Sequence, residues 1–96
     1  MKAQIKPEEV KAAVQDLPGV TVRMHMNRSS FMIGKKVFAF MRPEGVAMKL
    51  PAERIESLGL DHLVMGKRAM KEWAVVKRKK DLPLVKEAVA FLKQSS

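Results

Sequence analysis

The chain has 96 residues, 47% of them apolar, with no cysteine and a formal charge of +9. That length predicts one domain, 1–96, burying only somewhat over ~60% of its unfolded surface, so the core is expected to be a single layer of contacts with little room for a deep enclosed site. The composition excludes a disordered chain, and the lack of cysteine excludes disulfides and thiolate metal sites.

The longest apolar run, Val37–Met41, is far below the roughly 18 residues of a membrane span. Residues Met1–Pro7 hold no apolar stretch of the secretory kind. A cytoplasmic protein without membrane contact is the expectation.

Pro7-Glu8-Glu9 suits the start of a helix, because proline tolerates the first turn and acids complement the positive helix end. Val10, Ala13, Val14 and Leu17 follow at helical spacing, and Pro18-Gly19 closes the segment. Val20, Val22, Met24 and Met26 then alternate with Thr21, Arg23 and His25, predicting a half-buried strand, with Asn27–Ser30 as a turn. A meander follows. Phe31–Ile33 runs into Gly34-Lys35-Lys36, a tight turn in which glycine supplies a positive φ. Val37–Met41 is the next strand, Arg42–Gly45 a type I turn, and Val46, Met48 and Leu50 mark a further strand. Four strands with such short connections are antiparallel neighbours.

Pro51 opens a short helix with Ala52, Ile55 and Leu58 on its apolar side and Gly59 as its stop. Leu60–Arg68 has no clear period, and Trp73–Lys77 reads as a fifth strand. Asp81 is the expected N-cap of a last helix carrying Leu82, Val85, Val89 and Leu92. Seven methionines (24, 26, 32, 41, 48, 65 and 70) are expected to fill gaps in the core. The predicted class is α+β: a two-layer sandwich of about five antiparallel strands with helices packed on one face.

The residues Phe31–Gln94 resemble a known family. F-x-x-G-K-K-V-F-A (Phe31–Ala39), G-V-x-x-K-L-P-x-x-R (Gly45–Arg54) and G-K-R-x-M-K-E-W (Gly66–Trp73) are similar to the N-terminal domain of TfoX/Sxy proteins and to the MmcQ/YjbR proteins that share its fold. The M-K-E-W-x-V-V block is the most specific of these, and E-A-V-A-F-L (Glu87–Leu92) continues the likeness. A second likeness, to small luciferase-like domains, lies in L-P-G-V-x-V (Leu17–Val22) and W-A-V-V; nothing here matches a flavin or luciferin site. The resemblance implies a frataxin-like α/β sandwich of bacterial type, without established catalysis, for which DNA binding has been proposed. TfoX regulators of competence carry a second, C-terminal domain that has no counterpart here, so the resemblance implies the fold rather than the regulatory role.

The candidate functional residues lie in Gly66–Lys80. Lys67, Arg68, Lys71, Lys77, Arg78, Lys79 and Lys80 face one acid, Glu72, so this segment supplies +6 of the +9. Such density points to DNA or another polyanion. The alternative is a solvated basic edge that prevents sheet-to-sheet aggregation. Arg23, His25, Arg28, Lys35 and Lys36 form a second basic group, whose placement relative to the first the sequence leaves open. Phe31, Phe38, Phe40 and Trp73 all fit core strand positions, which favours phosphate or duplex contacts over base stacking.

His25 and His62 lack the spacing of a metal site. Asp61-His62 with Ser29-Ser30 matches a catalytic relay only nominally, and no paired carboxylates read as acid/base machinery. The expectation is a non-enzymatic basic binding module without cofactor or metal, contacting nucleic-acid phosphates with little sequence preference. The alternatives are a domain that docks on an acidic protein or self-associates, with an apolar patch near Met65–Met70, and thirdly a small-ligand binder.

Overall fold

A computed structural model describes residues 5–25 and 28–94. Chain order is α1 (Pro7–Val14), β1 (Val20–His25), β2 (Arg28–Ile33), β3 (Lys36–Arg42), β4 (Gly45–Lys49), α2 (Ala52–Leu58), β5 (Asp61–Met65), β6 (Arg68–Val76), a 3-10 turn (Lys79–Asp81) and α3 (Leu84–Gln94). The strands form one antiparallel sheet in the order β1-β2-β3-β4-β6-β5. The fold is α+β, with six strands where the sequence predicts about five.

The period-2 alternation becomes two faces of the sheet. Phe31, Ala39, Met48 and Ala74 are cross-strand neighbours in one row, and all belong to the main core with Val10 and Val14 of α1, Ile55 of α2 and Val85, Ala88, Val89 and Leu92 of α3. The next row, Arg23, Ser30, Phe40, Ala47, Val75 and Asp61, crosses all six strands on the opposite face, which the helices leave uncovered.

Proline at the first position and the Glu9 carboxylate together start α1: Glu9 Oε1 accepts the backbone N–H of Lys6 at 3.0 Å. Ile5, just before this cap, and Val10, one turn into the helix, are both buried in the main core, the arrangement of a hydrophobic staple. That hydrogen bond, assisted by Lys79 beside the carboxylate, holds Glu9 below its ordinary value of 4.5. A carboxylate lowered in the folded state contributes stability that is complete above 4.5 and is lost as pH falls through the lowered value. Glu9→Gln is therefore expected to flatten the acid limb of a stability–pH curve below about pH 4.5 and to leave the neutral limb parallel. An acid limb unchanged in the variant would show that the charge on Glu9 contributes nothing at the cap.

Four sequence readings are corrected. The missing strand is β5, inside the segment without a period. Of the turn expected at Asn27–Ser30, Arg28–Ser30 belong to β2 instead, and Asn27 lies outside the described residues. Asp81 does not cap α3; it ends the 3-10 turn, and α3 begins at Leu84, beyond Leu82-Pro83. Of the methionines, Met41 and Met48 are buried and Met32 and Met70 half-buried, but Met24 and Met65 are 68% and 48% exposed. Met26 lies outside the described residues. Gly34 does adopt the expected positive φ, 62°, and Gly66 repeats it at 64° in the two-residue turn between β5 and β6.

Candidate nucleic-acid interface

The basic segment follows β6 from end to end. Lys67 sits in the turn that joins β5 to β6, Arg68 is the first residue of β6, and Lys71 lies where the β5–β6 pairing breaks. Lys77 and Arg78 follow the strand, and Lys79 and Lys80 enter the 3-10 turn. All seven side chains are exposed. Two are tied to acids, Lys77 to Asp61 at 3.3 Å and Lys79 to Glu9 at 3.4 Å. Lys67, Arg68, Lys71, Arg78 and Lys80 have no ion-pair partner among the described residues.

The seven cations do not form one continuous patch. Lys77, Arg78 and Lys80 line a cleft of about 360 Å³ between the end of β6 and the α2–β5 connection, together with Gly59, Asp61 and Asp81. Lys67 and Arg68 are carried elsewhere by a bend. His62 pairs with Ala74 but Leu63 with Met70, so three residues of β6, Lys71–Trp73, have no partner on β5. An imbalance of this kind turns a strand sharply. The far part of the hairpin thereby folds as an arm over the helix-free face.

The contacts of the arm fix its path. Leu63, 2% exposed, joins Ala47 and Val75 in a second buried cluster that Phe40, Met70 and Trp73 complete. Met65 reaches Arg42 of β3, three places along the sheet order, with Arg42 Nη1 donating to its sulfur at 3.8 Å. The core is thus not a single layer: a small second one lies under the arm. Phe31 and Phe38 are buried among the helices, as expected, with ring centroids 6.5 Å apart. Phe40 and Trp73 are instead half-buried on the other face, 5.2 Å apart, with Lys49 Nζ 5.7 Å from the Trp73 ring. This pair is the feature the sequence reading missed. The signal lay in a single inserted residue on β3, which changes the face of Phe38 relative to Phe40.

The second basic group divides as well. Arg23 stands in the row with Ser30 and Phe40, and Arg28 pairs with His25 at one end of the β1–β2 ladder. Lys35 is in the β2–β3 turn, and Lys36 lines a cleft at the opposite end of the sheet with Lys49 and Glu72. Arg42 donates to Glu44 at 3.2 Å and touches the arm, so the arm brings Lys67 and Arg68 to the face that carries Arg23.

No family model, curated protein or solved structure matches this chain. The site is therefore defined by its own geometry.

That geometry assembles no catalytic relay from the residues considered. Asp61 and His62 belong to opposite rows of the sheet; Asp61 pairs with Lys77, and His62 Nδ1 lies 3.4 Å from the Met70 carbonyl oxygen. His62 is a half-buried strand residue rather than a surface turn residue. Ser29 donates to the Met24 sulfur at 3.5 Å. The His25 side chain lies outside what is described. Among the described residues no three His, Asp or Glu side chains gather to hold a metal ion, and no helix is long and apolar enough to cross a membrane.

Proposed function

We propose that the chain is a non-enzymatic binding module for nucleic-acid phosphates, without strong sequence preference and without a cofactor. The observation that carries this reading is that all seven cations of Gly66–Lys80 are exposed, five of them in no ion pair among the described residues. A charge of +9 also exceeds the magnitude of roughly 2–8 that keeps a small domain soluble. The resemblance to TfoX/Sxy and MmcQ/YjbR proteins points the same way, towards a bacterial DNA-associated role in the cytoplasm.

The test is binding to a labelled generic duplex across a salt series. Neutralising about four phosphates gives a slope of log K on log salt near −3 to −4, roughly a hundredfold loss from about 50 to about 200 mM. Arg78→Glu/Lys80→Glu, at the two cleft cations without ion pairs, is expected to abolish binding and leave the circular dichroism spectrum unchanged. Undiminished binding by that folded variant would overturn the assignment of the segment.

A second reading, docking on an acidic protein partner, draws on Val64 and Met65 at the arm, 54% and 48% exposed. It predicts a saturable protein complex at modest salt, with no duplex binding under the same conditions.

A further inference from the structure

The uncovered face of β1–β3 differs in chemistry from the basic segment. From Leu17 to Ala52 the chain carries six cations, Arg23, Arg28, Lys35, Lys36, Arg42 and Lys49, and a single acid, Glu44. Strands β1 to β4 contain no acid at all. Arg23 and Arg28 are exposed, and neither has an ion-pair partner among the described residues. In the row of Arg23, Ser30 and then half-buried Phe40 lead towards the arm, Phe40 meeting Trp73 at 5.2 Å, and half-buried Met32 lies in the row beyond, beside Thr21. The arm bounds the strip on its other side, where Met65, the cross-strand partner of Arg68, meets Arg42.

A strip with apolar and aromatic groups along its floor and cations along both margins has the chemistry of a single-strand platform, in which bases meet the floor and phosphates the rims. A duplex keeps its bases stacked inside and has no use for such a floor. An acidic protein would satisfy the rims but offers no regular series of flat apolar groups for the floor. Resting on the reading that this chain binds nucleic-acid phosphates, we infer that the uncovered face of β1–β3 is a second contact surface, which takes an unpaired strand of nucleic acid along Arg23, Arg28, Phe40 and the tip of the arm.

Trp73 is the only tryptophan in the chain and lies at the edge of this floor, so it reports occupancy without a label. The probe is an oligothymidylate titrated against the intact protein, read by Trp73 emission and, in parallel, by anisotropy of a labelled copy. Saturable quenching of Trp73 is expected. Arg23→Glu/Arg28→Glu is expected to weaken the single strand about 25-fold at about 0.1 M salt, because each lost phosphate contact on a single strand gives up roughly fivefold there. Thr21→Glu, which places a carboxylate on the same face, is expected to weaken it in the same direction, and it serves if the double variant fails to fold.

Each result decides between the two proposals. Oligothymidylate that binds without changing Trp73 emission, at an affinity indifferent to Arg23, Arg28 and Thr21, overturns this inference and leaves the basic segment as the whole interface. Duplex binding with no single-strand binding does the same. Failure of both nucleic acids at low salt overturns both, and saturable capture of an acidic protein in their place would assign the strip to protein docking.

Discussion

Replacing Phe38 by alanine is expected to cost about 3–5 kcal/mol, enough to unfold a large part of the population of a small domain. Phe38 is fully buried, and its ring packs at 45° to that of Phe31. Phe31 pairs with Ala39 and Met32 with Val37, so Phe38 is the unpaired residue of a bulge, and the bulge turns its ring into the helix-packed core. Alanine there leaves a cavity between β2, β3 and α3 that the paired strands on either side prevent from closing. Urea denaturation is expected to show the midpoint falling with its slope unchanged, and the melting temperature dropping by on the order of 20 °C. Phe40→Ala, at a half-buried position on the other face, is the comparison and should cost distinctly less. Equal losses at the two positions would mean that the bulge does not separate them.

Gly45→Ala is the second large effect, expected at about 3 kcal/mol. Gly45 is the first residue of β4 and is buried against the end of β6. A Cβ at this position would overlap the carbonyl oxygen of Val76 and lie 3.0 Å from its carbonyl carbon and 3.2 Å from Lys77 Cα. All three atoms are backbone, so no side-chain rotation relieves the clash. Val46↔Val76 and Ala47↔Val75 pin the two strands on the next two residues. The β4–β6 seam must part, and Lys77 moves with it. The melting temperature should fall by on the order of 15 °C. A variant as stable as the parent would show that the two strands have room to slide apart.

Both positions show what the sequence can and cannot convey. Alternation and short turns from Val20 to Leu50 suffice to place four antiparallel strands, although the bulge at Phe38 and the apolar Phe40 and Ala47 on the second face break the strict pattern. The helices were equally legible from their spacing and from Pro7 and Gly59. Strand β5 was not, since the arm exposes Val64 and Met65 and buries only Leu63, so its five residues show no period. Gly45 was read as a turn residue, whereas its strict requirement comes from a strand far along the chain. The basic segment was visible as a density of lysine and arginine. Its division between a cleft and an arm was not, because that depends on the pairing lost at Lys71–Trp73.

The arm also governs how the sheet meets other sheets. Folding the hairpin over breaks the outer edge of β5 after His62, leaving pieces too short to template a new strand. The outer edge of β1 stays straight for six residues, with Val22 and Met24 exposed on one side and Arg23 on the other. A molecule with one usable edge cannot propagate: two copies joined through β1 exhaust their edges, whereas a fibre needs two per copy. Edge-to-edge association of this fold therefore terminates at a closed pair, even at concentrations where an ordinary open sheet would polymerise.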